Sequence, residues 1–430
     1  MMQTEATTVR AASKPTRSVV IAALIFVLVY VALDFNKLYA LRYGADTGTF
    51  VQWLTGEAHG HGSWNGAEYR PHLQVHDSWV LLVLAPLMLV LPYAQTLLLV
   101  QIVALAAAAL VVCAFARECG ATPRAASIVG IAYIISPSIQ GIAYGNFLEN
   151  VFVPLVAALG ALAVRRRSFV PALIASQVLL GLKEDEALFL IWFGAACAIW
   201  WDRRIGIAVV MLAALNGAAF VVAERLAGAH PSLPGYALHI DDPLPKLAFL
   251  LTVLAPYAFA PLLLGWRVLL GAPLVAELVF NRPWAYPIAR TGTHWTAPLV
   301  AATTLAAAVA IAARPKLATP MLVCALLCAL TINDTPLKFG RWPFVVDRDA
   351  YAQAVRLRSA TTRVVVPRVD EGAYVVAAAN PNVVLARYDP RESGYCPGYN
   401  HDARAFFASL GIGAWPAGTT LCGGAAIGPR

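Results

Sequence analysis

Apolar residues come in long uninterrupted blocks along most of this chain, and polar residues gather in the short gaps between them. The blocks at 19–33, 95–115, 125–141, 151–164, 169–182, 186–201, 205–223, 247–264, 268–280, 295–313 and 317–332 carry few charges. They predict about eleven helices of the kind that crosses a bilayer. The block at 78–92 is different, because it is short and contains Pro86. A full crossing there would invert every later loop, so it reads as an interfacial or re-entrant helix on the outer side.

Two stretches depart from this pattern. Residues 34–77, rich in Gly, His, Trp and Asn, form a large first outer loop. Residues 347–430 hold 16 of the 56 charged residues. The β-branched runs at 363–366 and 374–388, followed by the amphipathic segment 403–410, predict a small α/β module there. The expected organisation is an N-terminal arm at 1–18, an all-α polytopic membrane domain at 19–333 and a small extracytoplasmic domain at 334–430.

Composition narrows the class. With 59% apolar and 13% charged residues, a water-soluble enzyme is excluded in practice. The net charge of +8 says less than the placement of the charges. Every second connection is short and basic: 117–124, 165–167, 203–204, Arg267 and 314–316. With Arg10, Lys14 and Arg17 ahead of the first helix, one orientation satisfies them all, with the amino terminus in the cytoplasm and the long loops outside. This is the arrangement of a multi-pass membrane protein whose functional loops face outward. Of seven cysteines, Cys113, Cys197, Cys324 and Cys328 lie in apolar runs and Cys119 in an inner turn, all as packing residues. Cys396 and Cys422 both fall in the outer tail, where a disulfide between them is expected. No spacing resembles a zinc site, no glycine-rich phosphate loop appears, and nothing points to nucleic acid.

Candidate chemistry sits in the outer loops. Asp46 places a carboxylate at the membrane surface just beyond the first helix, unless it is only a solvated loop residue. His72 and His76 flank the start of the interfacial helix, where histidines also serve as headgroup anchors. Glu149 begins a helix on the outer side, where an acid meets the helix dipole favourably. The run Lys183-Glu184-Asp185-Glu186 sets four ionisable residues between two apolar blocks, which is costly unless they are paired, wetted or used. His294 enters a late helix after Arg282 and Arg290, at a level where basic groups meet anionic lipid heads.

Asp46-Thr47-Gly48-Thr49-Phe50-Val51-Gln52 resembles the D-x-G-x-F-x-Q element of a bacterial membrane-protein family, domain of unknown function 2079. His76, Ala85-Pro86-Leu87, Gln101, Glu149 with Val153-Pro154-Leu155, Lys183-Glu184-Asp185-Glu186-Ala187 and His294-Trp295 follow in the family's order. At 145–147 this chain has Gly-Asn-Phe where the family has Asp-Phe-His. The family is similar to the GT-C glycosyltransferases, whose acidic residue in the first outer loop is matched here by Asp46. The resemblance implies transfer of a sugar from a polyprenyl-phosphate donor to an envelope glycan, lipid or protein acceptor. Asp46 would be the catalytic residue, and His76, Glu149, Lys183, Glu184, Asp185, Arg290 and His294 would bind donor and acceptor. Trp53, Trp64 and Tyr69 would be available to stack on sugar rings. No cofactor is required, though a divalent metal beside Asp46 is compatible with the chemistry. The other classes that fit are a carrier or binding protein for a lipid-linked envelope precursor and a membrane scaffold.

Overall fold

The computed structural model describes residues 15–226, 243–280, 293–332 and 344–386. Residues 1–14, Arg282, Arg290, Cys396, Cys422 and the segment 403–410 lie outside the described residues.

Helix α1 (Arg17–Tyr39) shows what the apolar blocks are for. Ile21, Leu24, Ile25 and Leu28 form an exposed stripe at helical spacing, while Val19, Ala23, Phe26, Tyr30 and Leu33 are buried on the opposite side. Both faces are hydrophobic, so one packs on protein and the other suits hydrocarbon rather than water. All the remaining blocks are helical as well. After α2 (Ala45–Ala58) come α3 (Tyr93–Glu118), α4 (Pro123–Ile135), α5 (Pro137–Tyr144), α6 (Val153–Arg165), α7 (Phe169–Leu180), α8 (Glu186–Trp200) and α9 (Arg203–Leu226). They are followed by α10 (Pro243–Leu254), α11 (Ala272–Phe280), α12 (Ala297–Ala313) and α13 (Ala318–Thr331).

Fewer helices than blocks are long and straight enough to be candidate spans. Among the described residues four helices are long and apolar enough to span a membrane: Arg17–Tyr39, Tyr93–Glu118, Arg203–Ala223 and His294–Ala313. Counting each bent pair as one span raises the total to six. One block breaks at Ser136-Pro137, where α4 and α5 meet at 46° because proline cannot donate to the preceding turn. Another folds back by 117° between Lys246–Tyr257 and Ala260–Val268, through Ala258 and Phe259 at positive φ. Others are too short: the 12 residues of α7 extend only about 18 Å against a hydrocarbon core of about 30 Å.

The helices run between two common ends. At one, Thr16 Oγ1 meets Ser127 Oγ at 2.6 Å and Arg166 pairs with Glu118 at 2.8 Å. The start of α1, the end of α3, the start of α4 and the end of α6 therefore lie together. At the other end, Lys37 Nζ donates to the Tyr144 carbonyl at 2.6 Å, joining the end of α1 to the end of α5.

The long segment after α1, expected as the first outer loop, is built around α2, which follows α1 after a tight turn through Leu41 at φ 56°. A short hairpin of β1 (Trp64–Asn65) and β2 (Arg70–Pro71) comes next. The expected interfacial helix is a 3-10 helix, Trp79–Leu89, containing Pro86 and packed on α2. In the tail, α14 (Arg348–Arg356) precedes a parallel pair, β3 (Val364–Val366) with β4 (Val383–Leu385), connected through α15 (Glu371–Ala377). Residues 374–377 are thus helical where their β-branched composition suggested strand. Tyr374, Val375 and Val376 are buried there, and burial outweighs intrinsic strand preference.

Candidate functional site

Helix α2 is a buried helix with one exception. From Ala45 to Thr55 every residue is buried except Asp46 in the first turn. The rest of the D-x-G-x-F-x-Q element has structural work. A Cβ on Gly48 would lie 2.6 Å from the Tyr374 ring, so only glycine lets α15 approach this closely. Phe50 packs against Trp53, His72 and Phe147. Gln52 donates to the carbonyls of Asn380 (3.0 Å) and Val383 (2.8 Å), and accepts from Gly66 N (2.5 Å) and Tyr374 OH (3.0 Å).

Asp46 itself is oriented by Asn146 in the loop after α5. Asn146 Nδ2 donates to Asp46 Oδ2 at 3.0 Å, and Asn146 Oδ1 accepts from Gly44 N at 3.0 Å. Thr47 Oγ1 accepts from Phe147 N at 3.0 Å, tying the same loop to α2. Burial beside dense protein pushes the Asp46 carboxyl up; the Asn146 hydrogen bond opposes this, and the charges of Glu371 and Glu149 add to it against Lys183. Asp46 thus combines contact with solvent and a carboxyl that the surrounding protein desolvates.

The ionisable run after α7 sits beside it. Lys183 Nζ and Glu149 Oε1 are 3.1 Å apart, with 10% and 1% of their side chains exposed. Burial disfavours the ammonium, but Glu149, Asp185 and Glu184 more than offset it and hold Lys183 above the ordinary lysine range. Glu184 pairs with His76 Nδ1 at 3.1 Å and accepts from Asp77 N at 3.3 Å. Burial pushes Glu184 up, but the His76 hydrogen bond and charge and the Lys183 charge bring it down to about 2. Burial works against the His76 imidazolium; Glu184 outweighs it, so His76 lies above its ordinary value. Val80 N donates to Gly181 O at 3.0 Å, fastening the 3-10 helix to this turn. Asn150 Nδ2 donates to Glu186 Oε1 at 3.3 Å. The turn His294–Thr296 packs on the turn Glu149–Phe152, and His294 feels the charges of Lys183 and His76.

Asp46, His76, Glu149, Lys183, Glu184, Asp185 and His294 therefore converge, although they come from five separate segments. Arg290 lies outside the described residues, so its place is not part of this geometry. Trp53 is fully buried and Tyr69 donates its hydroxyl to the Leu385 carbonyl. The Trp53 ring is therefore closed to a sugar, whereas Tyr69 is half-buried and Trp64 partly exposed. Among the described residues no three His, Cys, Asp or Glu side chains are grouped to hold a metal ion. Two site residues were not anticipated. Asn146 belongs to the 145–147 departure from the family pattern, and Glu371 comes from the C-terminal module: its Oε2 accepts from Ala45 N at 3.0 Å.

Residues 37–234, just under half of the chain, match the family model described as predicted membrane protein (DUF2079). The matched span contains Asp46, His76, Glu149, Lys183, Glu184 and Asp185; His294 and the C-terminal module lie beyond it. No curated protein and no solved structure matches the chain significantly.

Proposed function

With a predicted-membrane-protein domain over residues 37–234 as premise, we propose that the chain is a membrane enzyme of GT-C type. In this reading it transfers a sugar from a polyprenyl-phosphate donor to an envelope acceptor on the outer face of a bacterial inner membrane. The observation that carries the reading is Asp46. It is the one exposed residue of an otherwise buried stretch of helix, aimed by Asn146 and set beside a cluster of ionic groups at one end of the helices.

Glycosyl transfer needs a group that takes the acceptor's proton and groups that favour departure of the phosphate. The acceptor oxygen attacks the anomeric carbon and its proton passes to Asp46. The bond from that carbon to the phosphate oxygen breaks, and polyprenyl phosphate leaves with the electron pair. A carboxyl pushed up by its surroundings is a stronger base than a free aspartate, which suits the first task. The second falls to His76, whose imidazolium form Glu184 favours and which is about a third exposed. Lys183 assists through the N–H donors that Glu149 does not engage. The apolar 3-10 helix with exposed Val83 and Leu89 offers the lipid tail a surface beside these cations.

The test is transfer by purified full-length protein, reconstituted with a panel of polyprenyl-phosphate sugars and an envelope extract as acceptor. Loss of a positioned general base costs about 10²- to 10⁴-fold in rate, so Asp46→Asn should lose nearly all transfer while still inserting and folding. Full activity in that variant would remove Asp46 from the mechanism. A second reading, a carrier for a lipid-linked precursor, draws support from the two bent helix pairs, since broken helices line substrate paths in transporters. Movement of an intact lipid-linked sugar across vesicles, without release of polyprenyl phosphate, would favour it.

A further inference from the structure

The C-terminal module meets the site helix at the very turn that carries Asp46. Gly372 lies against the chain entering α2, where a Cβ would come within 2.0 Å of the Leu41 carbonyl oxygen. One residue earlier, the buried Glu371 reaches Ala45 N through Oε2 at 3.0 Å, while Arg368 Nη1 holds its Oε1 at 3.2 Å. Arg368 is itself fixed, since its Nε donates to the Ala386 carbonyl at 2.9 Å. A Cβ on Gly44 would meet Asn146 Nδ2 at 2.9 Å and Glu371 Oε2 at 3.3 Å. Asn146 and Glu371 therefore straddle the start of α2 from opposite parts of the chain. The attachment is extensive: Tyr374 and Asn380 bind Gln52, and Asn36 exchanges two hydrogen bonds with the backbone of Phe344.

We propose that Glu371 is the positioning residue of the Asp46 site, clamping the first turn of α2 from outside the matched family domain and confronting Asp46 with a second carboxylate. Two acids share one helix start, and Glu371 accepts an N–H that would otherwise favour an ionised Asp46. The charged groups facing Asp46 are Glu149 from the turn before α6, Lys183 from the turn before α8, and Glu371 with its Arg368 partner from the module. Glu371 and Glu149 repel the Asp46 charge and Lys183 attracts it. Glu371 thereby makes Asp46 a better proton acceptor. That catalytic consequence rests on the reading of Asp46 as a base; the clamp and its effect on Asp46 do not.

The experiment needs no substrate. Carbodiimide with an amine nucleophile modifies protonated carboxyl groups, so labelling of the exposed Asp46 falls as pH rises through its titration. The full chain in detergent is labelled across a pH series and the Asp46 peptide is quantified by mass spectrometry. The wild-type midpoint should lie above that of ordinary carboxylates. E371Q, which keeps an oxygen for Ala45 N but removes the charge, should move the midpoint down by roughly half a unit or more, and E371D should restore most of it. G372A leaves Glu371 intact but drives α15 away from Leu41, and should shift the midpoint the same way. It decides the matter if E371Q does not yield folded protein. A midpoint unmoved in the folded variants overturns the inference and leaves glycosyl transfer untouched. A shifted midpoint in a chain that transfers no sugar supports the Glu371 assignment and counts against the enzymatic reading.

Discussion

Lys183 is the residue whose surroundings most constrain what it can do. It lies in a buried ion pair with Glu149 at 3.1 Å, within reach of the charges of Asp185 and Glu184. Removing one partner of such a pair leaves the other charge desolvated, which costs about 3–5 kcal/mol, whereas replacing both is often nearly neutral. Lys183→Ala should therefore lower the thermal midpoint of the detergent-solubilised protein sharply, and the double variant Lys183→Met with Glu149→Gln should recover most of the loss. If Lys183→Ala unfolded at the wild-type temperature, the ion pair would not be structural. At this scale the sequence was informative about which residues matter and poor on their partners. Four consecutive ionisable residues between apolar blocks stand out by cost alone. That Lys183 meets Glu149 and Glu184 meets His76 depends on segments 34 and 108 positions away, for the first pair by numbering and for the second by the observed hydrogen bond.

Among the elements, α8 and α9 form a hairpin with close backbone contact. Gly206 faces Ala198 N, where a Cβ would lie at 2.2 Å, and Gly194 O at 2.5 Å. Small residues at such crossings let backbones meet, which is how helices associate where water supplies no driving force. Asp202 Oδ1 closes the turn by accepting from Arg204 N and Ile205 N, each at 3.0 Å. Gly206→Ala should separate the pair and destabilise by about 1–3 kcal/mol. Gly217→Ala, whose Cβ finds only an ordinary contact at 3.6 Å, should change little. Equal melting of the two variants would refute the close crossing. The helices themselves were legible because lipid demands unbroken apolar blocks, but the single block 125–141 runs through Pro137 and hides the 46° break. Helix α2 was not, because Gly48, Thr47, Thr49 and Thr55 are interleaved with Phe50, Trp53 and Leu54 and dilute the apolar pattern. Its packing partners are also remote: Asn146 lies 100 residues from Asp46, and Glu371 lies 326 from Ala45. No local periodicity encodes contacts of that range.

For the whole molecule, the two ends of the helix array differ in charge, and that difference predicts an orientation. The end defined by Thr16, Ser127 and the Arg166–Glu118 pair also receives Trp201, which packs on Phe115 near the end of α3. Arg17, Arg117, Arg124, Arg165, Arg167, Arg203 and Arg204 therefore cluster there. Helix α12 starts at the opposite end beside Glu149, so Arg314 and Lys316 belong to the basic end as well. The opposite end holds Asp46, Glu149, Glu184, Asp185 and Glu371. Short loops rich in Lys and Arg stay in the cytoplasm, which would put the basic end inside and Asp46 on the outer face, where the proposed polyprenyl-linked donor would be presented. The check is labelling of single-cysteine variants in intact cells with a membrane-impermeant thiol reagent. His61→Cys, at an exposed position beside α2, should react from outside. Arg166→Cys, exposed at the basic end, should react only after the membrane is opened. The reverse pattern would place Asp46 in the cytoplasm and rule out an outer-face donor, since Asn146, Glu149, Lys183 and Glu371 would turn over with it.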